Sequence, residues 1–168
     1  MSQPALKVAQ TEEQVKTGLD EDARKKVADY LSGILTDTYF LIMKTHTYHW
    51  NVAGPMFHSV HEMTEEQYTN MFDAADEIAE RIRALGYRAP VSKAAGPDNA
   101  AVSTDDSAES AKEMIADLIK DHEATVRQMR EAAEAAEQCD DFVSHDLMVE
   151  RMTYHEKVLW MWRAMSTE

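Results

Sequence analysis

The sequence predicts an all-α fold, a four-helix bundle with one long crossover between its second and third helices. Apolar residues recur at three- and four-residue spacing through most of the chain. Only five Gly and four Pro interrupt 168 residues, and most of them fall in two places. This scarcity favours long helices over a strand-rich fold. The one extended loop-like stretch, residues 87–106, is long enough to run along the length of a bundle.

The first helix is predicted to follow a short polar segment. Residues 1–19 lack an apolar pattern and are expected to form a polar tail, with residues 20–168 forming a single domain. Asp20 or Asp22 suits the N-cap of the helix. The sequence NVAGP at residues 51–55 ends it.

Three further helices follow from the same signals. Pro55 suits the first turn of a second helix, which runs from about Met56 to the stop at Gly86. A third helix is predicted to start near Ser107, and a fourth to span about residues 142–165. Four helices of roughly 25 to 30 residues joined by one long crossover describe a ferritin-like bundle.

Composition narrows the function classes. The net charge of −14 disfavours nucleic-acid binding unless the basic residues are segregated, and suits a protein that attracts cations. Solubility alone is the simpler explanation of this acidity. The single cysteine, Cys139, excludes an intramolecular disulfide and favours a reducing cytoplasm. No signal peptide or membrane span is expected.

The predicted second helix carries two pairs of potential metal ligands. His61 and Glu65 are four residues apart, as are Asp76 and Glu80, and eleven residues separate the pairs. All four side chains therefore share one face of the helix. Imidazole and carboxylate suit iron, manganese or zinc. The alternative is a solvated helix face with weak side-chain contacts.

The length of this face limits how it can be used. His61 and Glu80 are nineteen residues apart, which is roughly 28 Å along a helix. One metal centre cannot take ligands from both ends, so the two pairs either serve different sites or meet across two chains. A two-fold axis near residues 70–71 would bring the second pair of one copy opposite the first pair of the other. His49, at the end of the first helix, would return across the short link to complete the set.

Three segments resemble the Dps family, DNA-binding proteins from starved cells. HWNVAGPMFHSVHEM, which starts at His49, and DAADEIAERIRALG, which starts at Asp73, resemble the family's metal-site sequences. HDLMVERMTYHEKVLWMWRAM, which starts at His145, resembles its last helix. The resemblance extends over roughly residues 22–165. The chain lacks the Glu-x-x-His motif that larger ferritins use to build a di-iron site inside one bundle.

The resemblance implies a ferroxidase site between two subunits. By position, its ligands are His49, His61 and Glu65 of one subunit, with Asp76 and Glu80 of the two-fold neighbour. Such a site handles up to two iron ions, with zinc or manganese as substitutes. The resemblance further implies that Fe(II) is oxidised, by H₂O₂ in preference to O₂. Ferric oxide is then stored in a hollow homo-dodecamer in the cytoplasm or at the nucleoid, which protects the cell from oxidative stress.

Other residues carry weaker hypotheses. Trp50, beside His49, is a candidate electron relay or radical sink, or an aromatic residue packed in an interface. In the family an acidic run near the start of the last helix lines a three-fold pore for iron uptake; the matching residues are Glu137, Asp141 and Asp146. Acidic residues that favour a helix dipole are the alternative there.

Three of the histidines outside the predicted ligand set have hypotheses of their own. His46 and His58 either form a second metal site or are partly exposed residues at helix ends. His155 is expected to be structural.

DNA binding is expected to be weak or absent. Residues 1–19 contain only Lys7 and Lys16 against Glu12 and Glu13, so they offer no cluster of cations for phosphates. Two other functions stay open at this point. One is a non-enzymatic shell that compacts DNA, and the other is a plain helical scaffold.

Overall fold

The described residues form four helices, as the sequence predicts. The computed structural model describes residues 10–11, 15–90, 102 and 107–167. In chain order the helices are α1 Glu21–Asn51, α2 Phe57–Ala84, α3 Ala111–Glu137 and α4 Phe142–Met165. The described residues contain no strand, only an isolated bridge between Gln10 and Tyr87. The four-helix bundle is therefore confirmed.

The ends of α1 and α2 follow local signals in the sequence. The Asp20 side chain caps α1 by accepting a hydrogen bond from the backbone N–H of Ala23. Gly86 adopts a positive φ of 91° just after α2, which is the conformation that stops a helix at glycine. Pro55, expected in the first turn of α2, lies instead one residue before the N-cap Met56.

The start of α3 differs from the prediction by four residues. The helix begins at Ala111 rather than near Ser107, because Ser110 and Glu113 form a capping box. The Ser110 side chain accepts from the backbone N–H of Glu113, and the Glu113 carboxylate accepts from the backbone N–H of Ser110. The helix α4 has the predicted bounds.

The helices pack as two hairpins. α1 packs mainly on α2, α3 packs mainly on α4, and α1 also contacts α3. Apolar side chains from all four helices form one core, among them Leu31, Ile78, Leu118 and Trp162. The crossover between the hairpins lies mostly outside the described residues, but Val102 within it is buried and its backbone N–H reaches Asp37.

The described part of the predicted tail touches the end of α2. Residues 1–9 and 12–14 of that tail lie outside the described residues. The backbone N–H and the side-chain hydroxyl of Thr11 both donate to the carbonyl of Gly86. None of the helices in the described ranges combines the length and the apolar character needed to cross a membrane.

Candidate metal centre

Three of the five predicted ligands converge at the turn between α1 and α2. His49 lies in the last turn of α1, and His61 and Glu65 lie in the first turns of α2. Between them Gly54 adopts a positive φ of 91°, which allows the chain to reverse. One potential ligand atom from each of the three side chains lies within 4.8 Å of the others.

The two histidines hold each other in place. The Nδ1 of His49 lies 3.0 Å from the carbonyl oxygen of His61, and the Nδ1 of His61 lies 2.9 Å from the carbonyl oxygen of His49. A carbonyl only accepts, so both Nδ1 atoms carry the proton and donate it. The Nε2 lone pair of each ring is therefore left for a cation. The rings stack at 3.8 Å with 18° between their planes.

A buried hydroxyl supports this pair from α2. The Thr64 hydroxyl lies 2.7 Å from the Val60 carbonyl and 2.9 Å from the His61 carbonyl, and 3.5 Å from the Nδ1 of His49. Thr64 thus lies beside the reciprocal bonds and fixes the first turn of α2. The sequence analysis missed it, although a threonine three residues after a ligand histidine is a signal that could have been used.

The site opens toward solvent on its carboxylate side. His49 is buried, His61 is half-buried and Glu65 is exposed. Imidazole nitrogens and a carboxylate oxygen form a donor set for iron, zinc or manganese. A partly exposed site of this kind allows ions to enter and leave.

The other two predicted ligands lie elsewhere on the same helix. Asp76 and Glu80 are exposed on α2 and do not join the three-residue cluster, which is the sole such group among the described residues. The helix is continuous from Phe57 to Ala84, so it cannot fold these carboxylates back. A single chain therefore presents two separate halves of the predicted ligand set.

Trp50 belongs to a row of rings that ends at His49 of the candidate metal centre. Its ring lies 4.0 Å from that of His46, which stacks on Tyr68 at 4.3 Å. Tyr68 in turn meets His49 edge-on at 5.4 Å. The sequence analysis missed Tyr68, which lies two turns after His61 on the same side of α2. Trp50 itself is 64% exposed.

Asp141 has a structural role at the start of α4, as the helix-dipole alternative expects. It is buried at 2% exposure, caps α4 through the backbone N–H of Ser144, and pairs with Arg81 of α2 at 2.6 Å. Burial alone would raise the pKa of this carboxyl, but hydrogen bonds from Ser144 and Arg81 hold it below its ordinary value. Its oxygens are thus engaged inside the subunit, whereas its role at a pore stays a prediction. Glu137 and Asp146 are both exposed.

The three remaining histidines of the sequence analysis lie in different surroundings. His58 is exposed at the start of α2, outside the cluster, and His46 is half-buried in the row of rings. His155 is buried against His122, which is the arrangement of an interior residue.

Comparisons with known proteins agree on the family. A model of the ferritin-like domain matches residues 28–168. DNA protection during starvation protein 2 of Bacillus anthracis is 34% identical over 140 residues, covering 83% of this chain and 96% of the relative. The chain belongs to the Dps family. A low temperature-induced protein of Nostoc sp. is also 34% identical, over 153 residues, covering 89% of this chain and 85% of that protein.

Solved Dps structures share the fold. The Dps protein of Vibrio cholerae superposes with a TM-score of 0.86 at 27% identity, covering 94% of this chain and all of that one. It is described as a member of a broad superfamily of ferritin-like diiron-carboxylate proteins. Membership of the Dps family thus supports iron binding, iron storage and ferroxidase chemistry in general terms.

Proposed function

We propose that this Dps-family protein is a ferroxidase that oxidises Fe(II) at sites shared by two subunits and stores the ferric product. H₂O₂ is the preferred oxidant over O₂, and the store is a hollow shell of twelve subunits that protects the cytoplasm from oxidative stress. The observation that carries the proposal is the convergence of His49, His61 and Glu65 beside a turn, with one potential ligand atom of each within 4.8 Å of the others.

The geometry of α2 supports the proposed sharing of the site. Asp76 and Glu80 are exposed on a continuous helix, and about 28 Å of helix separates His61 from Glu80. A second copy packed antiparallel on α2 would bring its carboxylates to the histidine cluster, and two-fold symmetry would then create two equal sites. Large apolar side chains are exposed on α1 and α2, as an interface requires: Tyr39, Met43, Trp50, Phe57 and Phe72.

The proposed reaction consumes peroxide without releasing hydroxyl radical. Two Fe(II) ions give one electron each, and one H₂O₂ with two protons becomes two waters. The carboxylates and imidazoles hold both ions near one oxidant, so that both electrons reach the same peroxide. The exposed carboxylate side of the site leaves a route by which the ferric product can depart. The iron is thus substrate and cargo.

Two further parts of the chain support the proposed route of electrons and ions. The row of rings from Trp50 to His49 is a path for a single electron when only one Fe(II) is bound. Glu137 and Asp146, exposed around the start of α4, would form a ring of carboxylates at a three-fold axis and attract cations.

The alternative function is a non-enzymatic shell that compacts DNA. Several relatives carry the name DNA protection during starvation protein. The net charge of −14 opposes the same activity here, because phosphate binding depends on clustered cations. We therefore propose weak or no DNA binding.

The deciding experiment is anaerobic. Purified protein is loaded with about two Fe(II) per subunit, the ratio of the proposed reaction, and one H₂O₂ per two Fe(II) is added with a radical trap present. Fast formation of ferric absorbance without trapped radical supports the ferroxidase. His61→Ala and Asp76→Ala should each abolish it, whereas the matched control Asp73→Ala, another exposed carboxylate on α2, should not.

The shared site has its own test. Twelve copies of a 19.1 kDa chain form a particle of about 230 kDa, which size-exclusion chromatography distinguishes from a monomer. Mixing His61→Ala with Asp76→Ala subunits should restore up to about a quarter of the activity, because some two-fold pairs then contain one intact site. A monomer that oxidises iron as fast as the assembly would exclude the shared site.

A further inference from the structure

A pair of histidines lies in the interior of the bundle, apart from the metal centre. His122 on α3 and His155 on α4, here called the histidine pair, are 0% and 1% exposed. Their Nδ1 atoms are 2.7 Å apart. At this distance one proton lies between the two nitrogens, so one ring donates and the other accepts. When both rings are neutral, they are therefore opposite tautomers.

The outer nitrogens of the pair are buried as well. Neither Nε2 has a hydrogen-bond partner within the described part of the chain. Because the tautomers are opposite, one of these atoms is an N–H group and the other is a lone pair. The lone pair is the one position where a proton can be added without breaking the bond between the rings.

A buried cation on α4 opposes that proton. Arg151 of α4 is buried, lies 4.5 Å above the ring of Tyr154, and has no carboxylate partner among the described residues. Tyr154 meets His155 edge-on at 5.2 Å. Asp121, the neighbour of His122 in α3, already pairs with Lys44 of α1. Lys44 also pairs with Asp117, so this cluster carries no net positive charge, and Arg151 is the cation that acts on both rings of the pair.

The α2 side supplies polar groups rather than a counter-ion. Asn70 accepts a hydrogen bond from Arg151, and the Gln67 side chain accepts one from Trp162. Two α2 carboxylates act on neighbours of the pair: the charge of Glu66 acts on Tyr154, and that of Glu77 acts on Arg151. Burial, followed by the charge of Arg151, holds the pKa of His122 to about 3, and burial with the neighbouring charges holds the pKa of His155 well below its ordinary value.

We propose that the histidine pair is an acid-sensitive lock of the subunit, which joins α3 to α4 while both rings are neutral and releases them when the rings take up protons. The first proton creates a buried cation beside Arg151. The second places a hydrogen on both Nδ1 atoms and so removes the bond between the helices. The buried hydrogen bond between α3 and α4 is therefore lost as the pH falls.

The sign of the effect follows from proton uptake. Both histidines have a folded-state pKa below the ordinary value, so the unfolded chain binds more protons than the folded one below about pH 6.5. The stability that the neutral pair contributes is present above that pH and is lost as the pH falls. Each ring raises the unfolding constant by up to about tenfold per pH unit, and the pair by up to about a hundredfold.

The test compares acid sensitivity between variants of the full chain. Urea unfolding is followed by circular dichroism between pH 7 and pH 5 at one protein concentration, because assembly affects apparent stability. The double variant His122→Leu/His155→Leu replaces both partners with apolar groups of similar size and should fold. The slope of the logarithm of its unfolding constant against pH should be smaller than that of wild type by up to about two. The control His58→Gln, at an exposed histidine, should have the wild-type slope. An unchanged slope in the double variant would overturn the lock.

A second measurement uses the unmodified protein. Solid-state ¹⁵N NMR of histidine-labelled protein should show one Nδ1–H and one Nε2–H ring that stay neutral at pH 5.5. Imidazolium signals from both buried rings at pH 6 would refute the proposal, even if the double variant does not fold. The single variant His155→Leu should be less stable at pH 7 than the double variant, because it leaves the Nδ1 of His122 buried without its partner.

Discussion

His49 and His61 each donate an Nδ1–H to the backbone carbonyl of the other, across the turn that joins α1 to α2. The same two bonds tie the helices together and select the tautomer that leaves both Nε2 atoms free. The structural role and the proposed metal-binding role therefore belong to opposite nitrogens of each ring, and two substitutions can separate them.

Replacing His49 by Asn or by Gln should have different effects. An Asn amide can keep the donor to the His61 carbonyl but has no atom in place of Nε2. We expect His49→Asn to weaken Fe(II) or Zn(II) binding by more than tenfold, while unfolding free energy changes by less than about 1 kcal/mol. His49→Gln should lose the bond to the carbonyl and be the less stable of the two.

Calorimetric titration with Zn(II) and thermal unfolding without metal measure these two properties. His58→Asn is the matched control, because His58 is exposed on the same turn and outside the cluster. Equal losses of metal affinity in His49→Asn and His58→Asn would contradict the assignment of the site.

Alanine substitutions of Asp141 and Asp146 should have very different effects on the free energy of unfolding, although both are acidic residues near the start of α4. Asp141→Ala removes a helix cap and leaves Arg81 without its carboxylate, and we expect a loss of about 2–3 kcal/mol in unfolding free energy. Asp146→Ala, at an exposed position, should stay within about 0.5 kcal/mol of wild type. Urea unfolding at pH 7 gives both values.

The Asp141 effect should also depend on pH. The folded-state pKa of this carboxyl lies below its ordinary value of 3.8, so its stabilisation is present above that pH and fades as the pH falls through the folded-state pKa. The difference in unfolding free energy between wild type and Asp141→Ala should therefore narrow in strong acid.

If Asp146 attracts iron, Asp146→Ala should slow iron uptake by the intact assembly without changing its stability. Equal destabilisation by both substitutions would refute the distinction between them.

Plasmid DNA should not bind at physiological salt. A chain with a net charge of −14 repels phosphates, and the Lys7 and Lys16 of its N-terminal segment are matched by Glu12 and Glu13. A mobility-shift assay at about 0.15 M salt should leave the plasmid at its free position. Retardation that fades with added salt would instead favour the DNA-compacting shell.

Helices and their ends could be predicted because their causes are local. Asp20 and Gly86 mark helix boundaries by their own chemistry. The capping box of Ser110 and Glu113 is equally local, and a search for a serine followed by a glutamate three residues later would have corrected the start of α3. Spacing also placed His61 and Glu65 on one face of a helix.

Contacts between distant segments could not be predicted from spacing. Asp141 meets Arg81 across 60 residues of chain, and His122 meets His155 across 33. No periodic pattern in the sequence indicates either pair, because both depend on how α3 and α4 pack against the rest. For Tyr68, the sequence predicts its position on the helix. It does not predict the stacking on His46, because that ring comes from another helix.

Trp50 should limit radical release when iron is scarce. With one Fe(II) per site, the ion gives one electron to H₂O₂ and the indole gives the second, so that peroxide and two protons become two waters and the indole becomes a radical cation. The rings of His46 and Tyr68 bridge Trp50 to His49 at 4.0, 4.3 and 5.4 Å, which keeps the path contiguous. We expect Trp50→Phe to increase trapped hydroxyl radical several-fold at this ratio and to change little when two Fe(II) are bound.

Trp160 supplies the matched control, since it is 65% exposed on α4 and has no ring contact with this row in the described structure. Trp160→Phe should leave the trapped radical at the wild-type level, and spectroscopy should find the indole radical in wild type but not in Trp50→Phe. Tyr68→Phe keeps a ring in the same place, so it should preserve the packing and test whether the phenol hydroxyl takes part. If both tryptophan variants release the same amount of radical, Trp50 is an interface residue, and the second electron comes from elsewhere.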